Sequence, residues 1–168
     1  AFKLIQIEKK YKLIYKSRNI LELGSSPGGW SQVICELNKQ SNIDAFDLLA
    51  MKFKHENINF FKQDFFKFNF KSVKRKYDLI LSDMAPNATG HQSTDHLKIS
   101  SIIQDVILIL RNISLPNSNF VFKIWKGSEE KNIIHQLKKQ YKKVSYCKPR
   151  SSRDESSEIF IVAENFIV

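Results

Sequence analysis

No apolar run in this 168-residue chain approaches the ~20 residues of a membrane span. No signal peptide is visible, and the chain opens at Ala1 without methionine, which leaves room for a leader outside it. Cys35 and Cys147 are the only cysteines, too few and too far apart for a disulfide framework or a zinc site, and both sit in apolar, core-like patterns. Repeats and low-complexity linkers are absent, so residues 1–168 are expected to form a single domain. Acids are short as well: 17 against 27 basic residues, a net charge of +10. A compact domain this basic points to a polyanionic partner, nucleic acid first, with a merely lysine-rich surface as the alternative. The excess is concentrated, with six Lys or Arg and one acid in residues 1–18, and seven and none in residues 138–153. Glycine is scarce too: five in the chain, three of them between positions 24 and 29.

Those three glycines mark the stretch around which the rest is arranged, Asn19-Ile20-Leu21-Glu22-Leu23-Gly24-Ser25-Ser26-Pro27-Gly28-Gly29-Trp30-Ser31-Gln32-Val33. Residues 20–23 form a short apolar run ended by glycine, which predicts a strand buried on both faces of a parallel sheet. Beyond the turn, Trp30, Val33, Ile34 and Leu37 recur at helical spacing. Strand, tight turn and helix together bring backbone N–H groups to a ligand at a helix N-terminus; an ordinary βα turn has the same outline. A phosphate cradle would need Lys and Ser or Thr after its last glycine, and a dinucleotide fingerprint would need G-x-G-x-x-G. Here the pattern is G-x-x-x-G-G, which leaves a nucleoside ligand without a pyrophosphate, S-adenosylmethionine being the commonest. Asp47, closing the run Ile43-Asp44-Ala45-Phe46, is placed to bind its ribose hydroxyls.

Phe2 to Tyr11, apolar at 4, 7 and 11, predicts an amphipathic helix ahead of the first strand. Further strands are expected at 58–61 (before Asp64), at 77–82 (before Asp83), at 119–125 after a Pro116-Asn117 turn, at 144–147 and at 158–163. Residues 65–70 read as a loop or short helix, and Met84 to Asp95, with Pro86, Asn87 and Gly90, as a loop. Helices are expected over about 95–111 and from a Ser128 cap, with Glu129 and Glu130 near its start, to Tyr141. The alternation predicts an α/β sheet with helices on both faces. Ligands of such sheets lie outside the carboxyl ends of the strands, where Gly24, Asp47, Asp64 and Asp83 fall.

Lys123 interrupts Phe120-Val121-Phe122-Lys123-Ile124-Trp125, where an unpaired ammonium is costly. Either it escapes to solvent at the strand end or carboxylates hold it, with Asp83 and Glu158 as the natural partners. A lysine desolvated among charges is a candidate base. His91 and His96 have no Cys or His at ligand spacing, so no metal is expected.

Four blocks together resemble the FtsJ family of RNA 2′-O-ribose methyltransferases: Leu21-Glu22-Leu23-Gly24 with Pro27-Gly28-Gly29-Trp30-Ser31-Gln32, Ser82-Asp83-Met84-Ala85-Pro86-Asn87, Phe122-Lys123, and Ser152-Arg153 with Glu158. The resemblance runs from about Phe2 to Ala163. It implies a Rossmann-like methyltransferase fold with a mostly parallel seven-stranded sheet, S-adenosylmethionine as cofactor, and a catalytic tetrad. Phe2-Lys3-Leu4 matches the block that carries the tetrad's first lysine; Asp83, Lys123 and Glu158 match the others. By the same resemblance Gly24, Gly28, Gly29, Trp30, Asp47, Asp64 and Asp83 would line the cofactor pocket, with Asp64 toward the adenine amino group and Asp47 toward the ribose. Gly90-His91, Thr94-Asp95-His96-Leu97, Lys148-Pro149 and Ser151-Ser152-Arg153 look most like the branch that modifies a uridine of large-subunit ribosomal RNA. A tRNA ribose methyltransferase and a non-catalytic RNA-binding module are the alternatives. Base methylation is disfavoured, since Asp83-Met84-Ala85-Pro86 replaces the Asn-Pro-Pro-aromatic block of amino methyltransferases. Arg153 is either a phosphate contact or a solvated charge. The chain is expected to act as a monomer, in the cytoplasm or else in a mitochondrion.

Overall fold

A computed structural model describes residues 1–70, 75–85, 92–127, 129–150 and 157–167, apart from the side chains of 92, 93 and 96. Expectations for Pro86, Asn87, Gly90, His91, Ser128 and Ser151-Ser152-Arg153 lie outside the described residues. In chain order the elements are α1 (Phe2–Tyr11), β1 (Asn19–Leu23), α2 (Gly29–Leu37), β2 (Asn42–Asp47), β3 (Ile58–Lys62), β4 (Tyr77–Ser82), α3 (Gln92–Ile113), β5 (Ser114–Trp125), α4 (Glu130–Lys138), β6 (Tyr141–Cys147) and β7 (Glu158–Phe166). Short 3-10 turns occur at Ile14–Lys16 and Phe65–Lys67.

One seven-stranded sheet runs β3-β2-β1-β4-β5-β7-β6, its first five strands parallel and β7 antiparallel to both its neighbours. The expected α/β architecture is therefore present. Two apolar layers cover it. Leu4 and Ile7 of α1 join Trp30, Val33, Ile34 and Cys35 of α2 on one face. Ile103, Val106, Ile107, Leu110 and Ile113 of α3 join Ile133, Ile134 and Leu137 of α4 on the other. Strand β1 feeds both layers, Ile20 to the first and Leu21 and Leu23 to the second, which is why its apolar run does not alternate.

Several boundaries differ from expectation. α3 begins at Gln92, inside the stretch read as loop. α4 ends at Lys138, and Tyr141 instead opens β6, its buried ring edge-on to Phe166 at 5.3 Å. β7 continues past Ala163 to Phe166. The Pro116-Asn117 turn is an irregularity within β5: pairing with β4 steps from Tyr77–Ser114 to Leu79–Asn119, and Asn117 takes up the extra residues in the left-handed region at φ 62°. Residues 48–57, between β2 and β3, form no helix, and Phe53, Ile58 and Phe60 are only half-buried on the α1/α2 face.

Candidate active site

The turn after β1 is shaped by close backbone approach. Gly24 has φ +78°, and a Cβ there would lie 2.8 Å from the Met84 nitrogen and 3.1 Å from the Asp83 carbonyl carbon. Glycine at 24 thus lets the end of β4 cross the end of β1, where the Asp83 N–H donates to the Leu23 carbonyl at 3.0 Å. Gly28, at φ +112°, would press a Cβ to within 2.6 Å of the Phe53 Cβ. Gly29 differs: a Cβ there would meet nothing of the protein nearer than 3.9 Å. The first helical bond of α2 runs from the Gln32 N–H to the Gly28 carbonyl, so N–H groups of its first turn lack intrahelical acceptors.

Asp47 ties this turn to the loop beyond β2. Its Oδ2 accepts from the Ser26 N–H and its Oδ1 from the Leu49 N–H, both at 2.8 Å. Asp64 caps the 3-10 turn after β3 by accepting from the Phe66 N–H at 3.0 Å. Trp30, expected to line the cofactor pocket, has its ring in the core, 6% exposed and 5.8 Å from the Phe160 ring. What Trp30 retains for a ligand is its backbone N–H in the first turn of α2.

The charged residues meet on one face of the sheet. Lys123 pairs across the antiparallel ladder with Phe160, and Trp125 with Glu158, so Lys123 and Glu158 are diagonal neighbours on the α1/α2 side. The Lys123 ammonium lies 2.8 Å from Asp83 Oδ1 and donates to the Asp83 carbonyl at 3.1 Å; the side chain is 11% exposed. It is therefore held by a carboxylate, not released to solvent. Lys3, in the first turn of α1, pairs with Glu158. Glu158, expected as a partner of Lys123, serves Lys3 instead, because α1 lies over this face and presents Lys3 to the start of β7.

Sequence reasoning passed over Glu22. It is the penultimate residue of β1, 1% exposed. One carboxyl oxygen accepts from the Ser31 hydroxyl, while the other, like the nearby Ser25 hydroxyl, is buried without a partner among the described residues. Burial, reinforced by the charges of Asp83 and Asp47 and opposed by the Ser31 hydrogen bond, pushes this carboxyl up to about 8. The signal was available: a carboxylate is the one polar residue in Ile20-Leu21-Glu22-Leu23.

Only part of each basic stretch reaches this end: Lys16 and Arg18 sit by Asp78 and Asn119 at the amino end of the parallel strands. Tyr11 and Lys10, at the end of α1, are close enough to the Cys147 thiol to act on its ionisation, although burial dominates and raises it. Residues 9–18 and the β6 edge, with Lys142, Lys143 and Lys148, therefore adjoin.

A family model described as FtsJ-like methyltransferase matches residues 1–166. The chain is 36% identical over 176 residues to a "Ribosomal RNA large subunit methyltransferase E" of Rickettsia felis, covering 98% of this chain and 77% of the relative. It is similar to a crystal structure titled a ribosomal RNA methyltransferase of Plasmodium falciparum, with TM-score 0.84, 28% identity, and 98% and 95% of the two chains covered. Human methyltransferase-like protein 13 in complex with SAH shares the fold, with TM-score 0.65 at 13% identity over 97% of this chain and 78% of that one. With its glycine turn at the head of α2 and its lysine–carboxylate pairs at the strand ends, the chain is a methyltransferase and belongs to the FtsJ-like family.

Proposed function

We propose that this enzyme transfers the methyl group of S-adenosylmethionine to a ribose 2′-hydroxyl of RNA, its target a uridine of large-subunit ribosomal RNA. The observation that carries the reading is the pair of lysine–carboxylate contacts, Lys123–Asp83 and Lys3–Glu158, on one face of the sheet beside the glycine turn.

The chain's own residues fit the cofactor. The turn offers the first-turn N–H groups of α2 and open space at Gly29, and Glu22, bonded to Ser31 of α2, and Ser25 each keep a buried oxygen without a partner among the described residues. Asp47 accepts one backbone N–H on each oxygen and Asp64 one on Oδ1, which leaves acceptor capacity for ribose hydroxyls and an amino group. When bound, S-adenosylmethionine supplies an electrophilic methyl group on a cationic sulfur.

Lys123 is the base in this reading. An ammonium has three donors, and two are directed at Asp83. After losing the third proton the amine keeps both bonds to Asp83 and presents a lone pair for the 2′-hydroxyl proton. Asp83 orients the amine, Gly24 fixes the backbone of Asp83, and Lys3 with Glu158 closes the same face. A positioned base adds on the order of 10²–10⁴-fold. The basic residues within 1–18 and 138–150 that reach this end, Lys10 and Lys148 beside Cys147 among them, then hold RNA phosphates.

The names of the relatives favour large-subunit ribosomal RNA over tRNA, and the bacterial source of the Rickettsia relative favours the cytoplasm over the mitochondrion. A binding-only module would not require all four paired groups. Lys123→Ala is expected to keep cofactor affinity by calorimetry and lose methyl transfer, because the lysine acts in the transition state. Lys123→Arg should fail as well, since guanidinium does not deprotonate in this range. Substantial turnover by the arginine variant would leave Lys123 a positive charge only.

A further inference from the structure

We infer that the loop between β2 and β3 is a docking platform for an unpaired nucleotide of the RNA, at the β3 edge of the sheet; the inference rests on the RNA reading above. A cavity of about 260 Å³ opens there, lined by Met51, Phe53, Lys54, His55, Ile58 and Phe60. The Phe53 and His55 rings are nearly parallel, 16° between planes with centroids 6.3 Å apart. His55 is exposed but not free to turn. Its Nδ1 accepts from the Asn57 N–H at 3.2 Å, which assigns the proton to Nε2 and directs that donor outward.

Covering Ile58 and Phe60 on the helix-free edge strand would need only apolar groups such as Phe53. It gives no reason for an exposed imidazole stacked on that ring, with exposed Lys52 and Lys54 on either side of Phe53. Lys39 is exposed nearby, its carbonyl accepting from the Asn57 side chain, and Glu56 is the one acid of the loop. Flat π-faces flanked by cations match a base and its phosphates, as in single-strand-binding grooves. The loop is also continuous with the cofactor turn: the Lys52 and Phe53 N–H groups donate to the Pro27 carbonyl at 3.1 and 3.4 Å. From β3 to β5 is four strand spacings, about 19 Å across the sheet, and Lys123 lies about 13 Å further along its strand than Asn119, which is level with Ile58, a span of a few nucleotides.

The test measures affinity of the full chain for a short unstructured RNA carrying 2-aminopurine and 4-thiouridine. Phe53 is left intact because it fills the space beside Gly28. His55→Ala should weaken binding about 10-fold and reduce the quenching of 2-aminopurine, and His55→Phe should restore both. Lys52→Ala with Lys54→Ala should lower the slope of log affinity against log salt by about 1.4. Photocrosslinks should map to residues 51–55. Wild-type affinity and salt slope in both variants, or crosslinks confined to residues 1–18 and 138–150, would overturn the platform. Affinity is read without turnover, so a failure of methyl transfer counts against the proposed function and an unchanged affinity against the platform.

Discussion

Asp44 on β2 and Glu22 on β1 are carboxyls on adjacent strands, 4% and 1% exposed, on opposite faces of the sheet. Asp44 accepts from the Tyr77 hydroxyl at 2.7 Å, the Asn59 amide at 2.9 Å and Arg75 at 3.1 Å. Glu22 has the Ser31 hydroxyl on one oxygen and no partner for the other among the described residues. A carboxylate that only holds the fold together is saturated; the one beneath the glycine turn is left short and keeps its proton. The same contrast separates the glycines, since Gly24 and Gly28 are demanded by the protein's own packing and Gly29 is not.

Breaking the saturated side should cost most. Asp44→Ala strands Tyr77, Asn59 and Arg75 together, and urea unfolding should show a loss of about 3–5 kcal/mol. A loss no larger than that of an ordinary surface substitution would mean that the network is incidental.

Glu22→Gln should act with the opposite sign and depend on pH. The folded carboxyl sits at about 8 against an ordinary 4.5, so the folded state binds a proton that the unfolded chain releases between these values. Wild-type stability from this group therefore falls as pH rises through that window and levels off above it. The neutral glutamine lacks the fall, and its stability relative to wild type should climb from pH 5 to pH 8 by a few kcal/mol, at most about 1.4 per pH unit. Parallel pH profiles would show that Glu22 ionises freely.

Gly28→Ala, strained by its positive φ and its clash with Phe53, should destabilise by about 1–3 kcal/mol in thermal unfolding. Gly29→Ala should leave the midpoint unchanged and weaken S-adenosylmethionine in calorimetry. Equal effects of the two on stability would remove the distinction between packing glycines and ligand glycines. On the cofactor side, Asp47→Ala should lower affinity by roughly 1.5–3 kcal/mol through a lost charge-assisted hydrogen bond.

What could be read from the sequence follows from where the physics is local. β1, β2 and β4 are short apolar runs ended by glycine or aspartate, and α1 repeats its apolar residues at helical spacing. Lys123 stood out because a charge inside an apolar strand demands a partner. Asp83 was legible as its partner; the place of Glu158 was not, because whether it faces Lys123 or Lys3 depends on how α1 lies over β7, a contact between residues 155 positions apart. Asp44 and Glu22 were hidden for a related reason. Each reads as one acid beside apolar neighbours, and only the packing of β3, the segment before β4 and α2 decides which is satisfied. Trp30 went to the core because Phe160, from the far end of the chain, meets its ring.

The most direct measurement is the position of the methyl group. Large-subunit ribosomal RNA lacking the modification, incubated with the protein and labelled S-adenosylmethionine, is mapped for 2′-O-methylation and base methylation, with Lys123→Ala in parallel. Label at the ribose 2′-oxygen of a uridine, reduced at least about 100-fold in the variant, is the expected result. Label on a base, or undiminished ribose methylation by Lys123→Ala, would contradict the assignment of Lys123 beside Asp83 as the group that takes the 2′-hydroxyl proton.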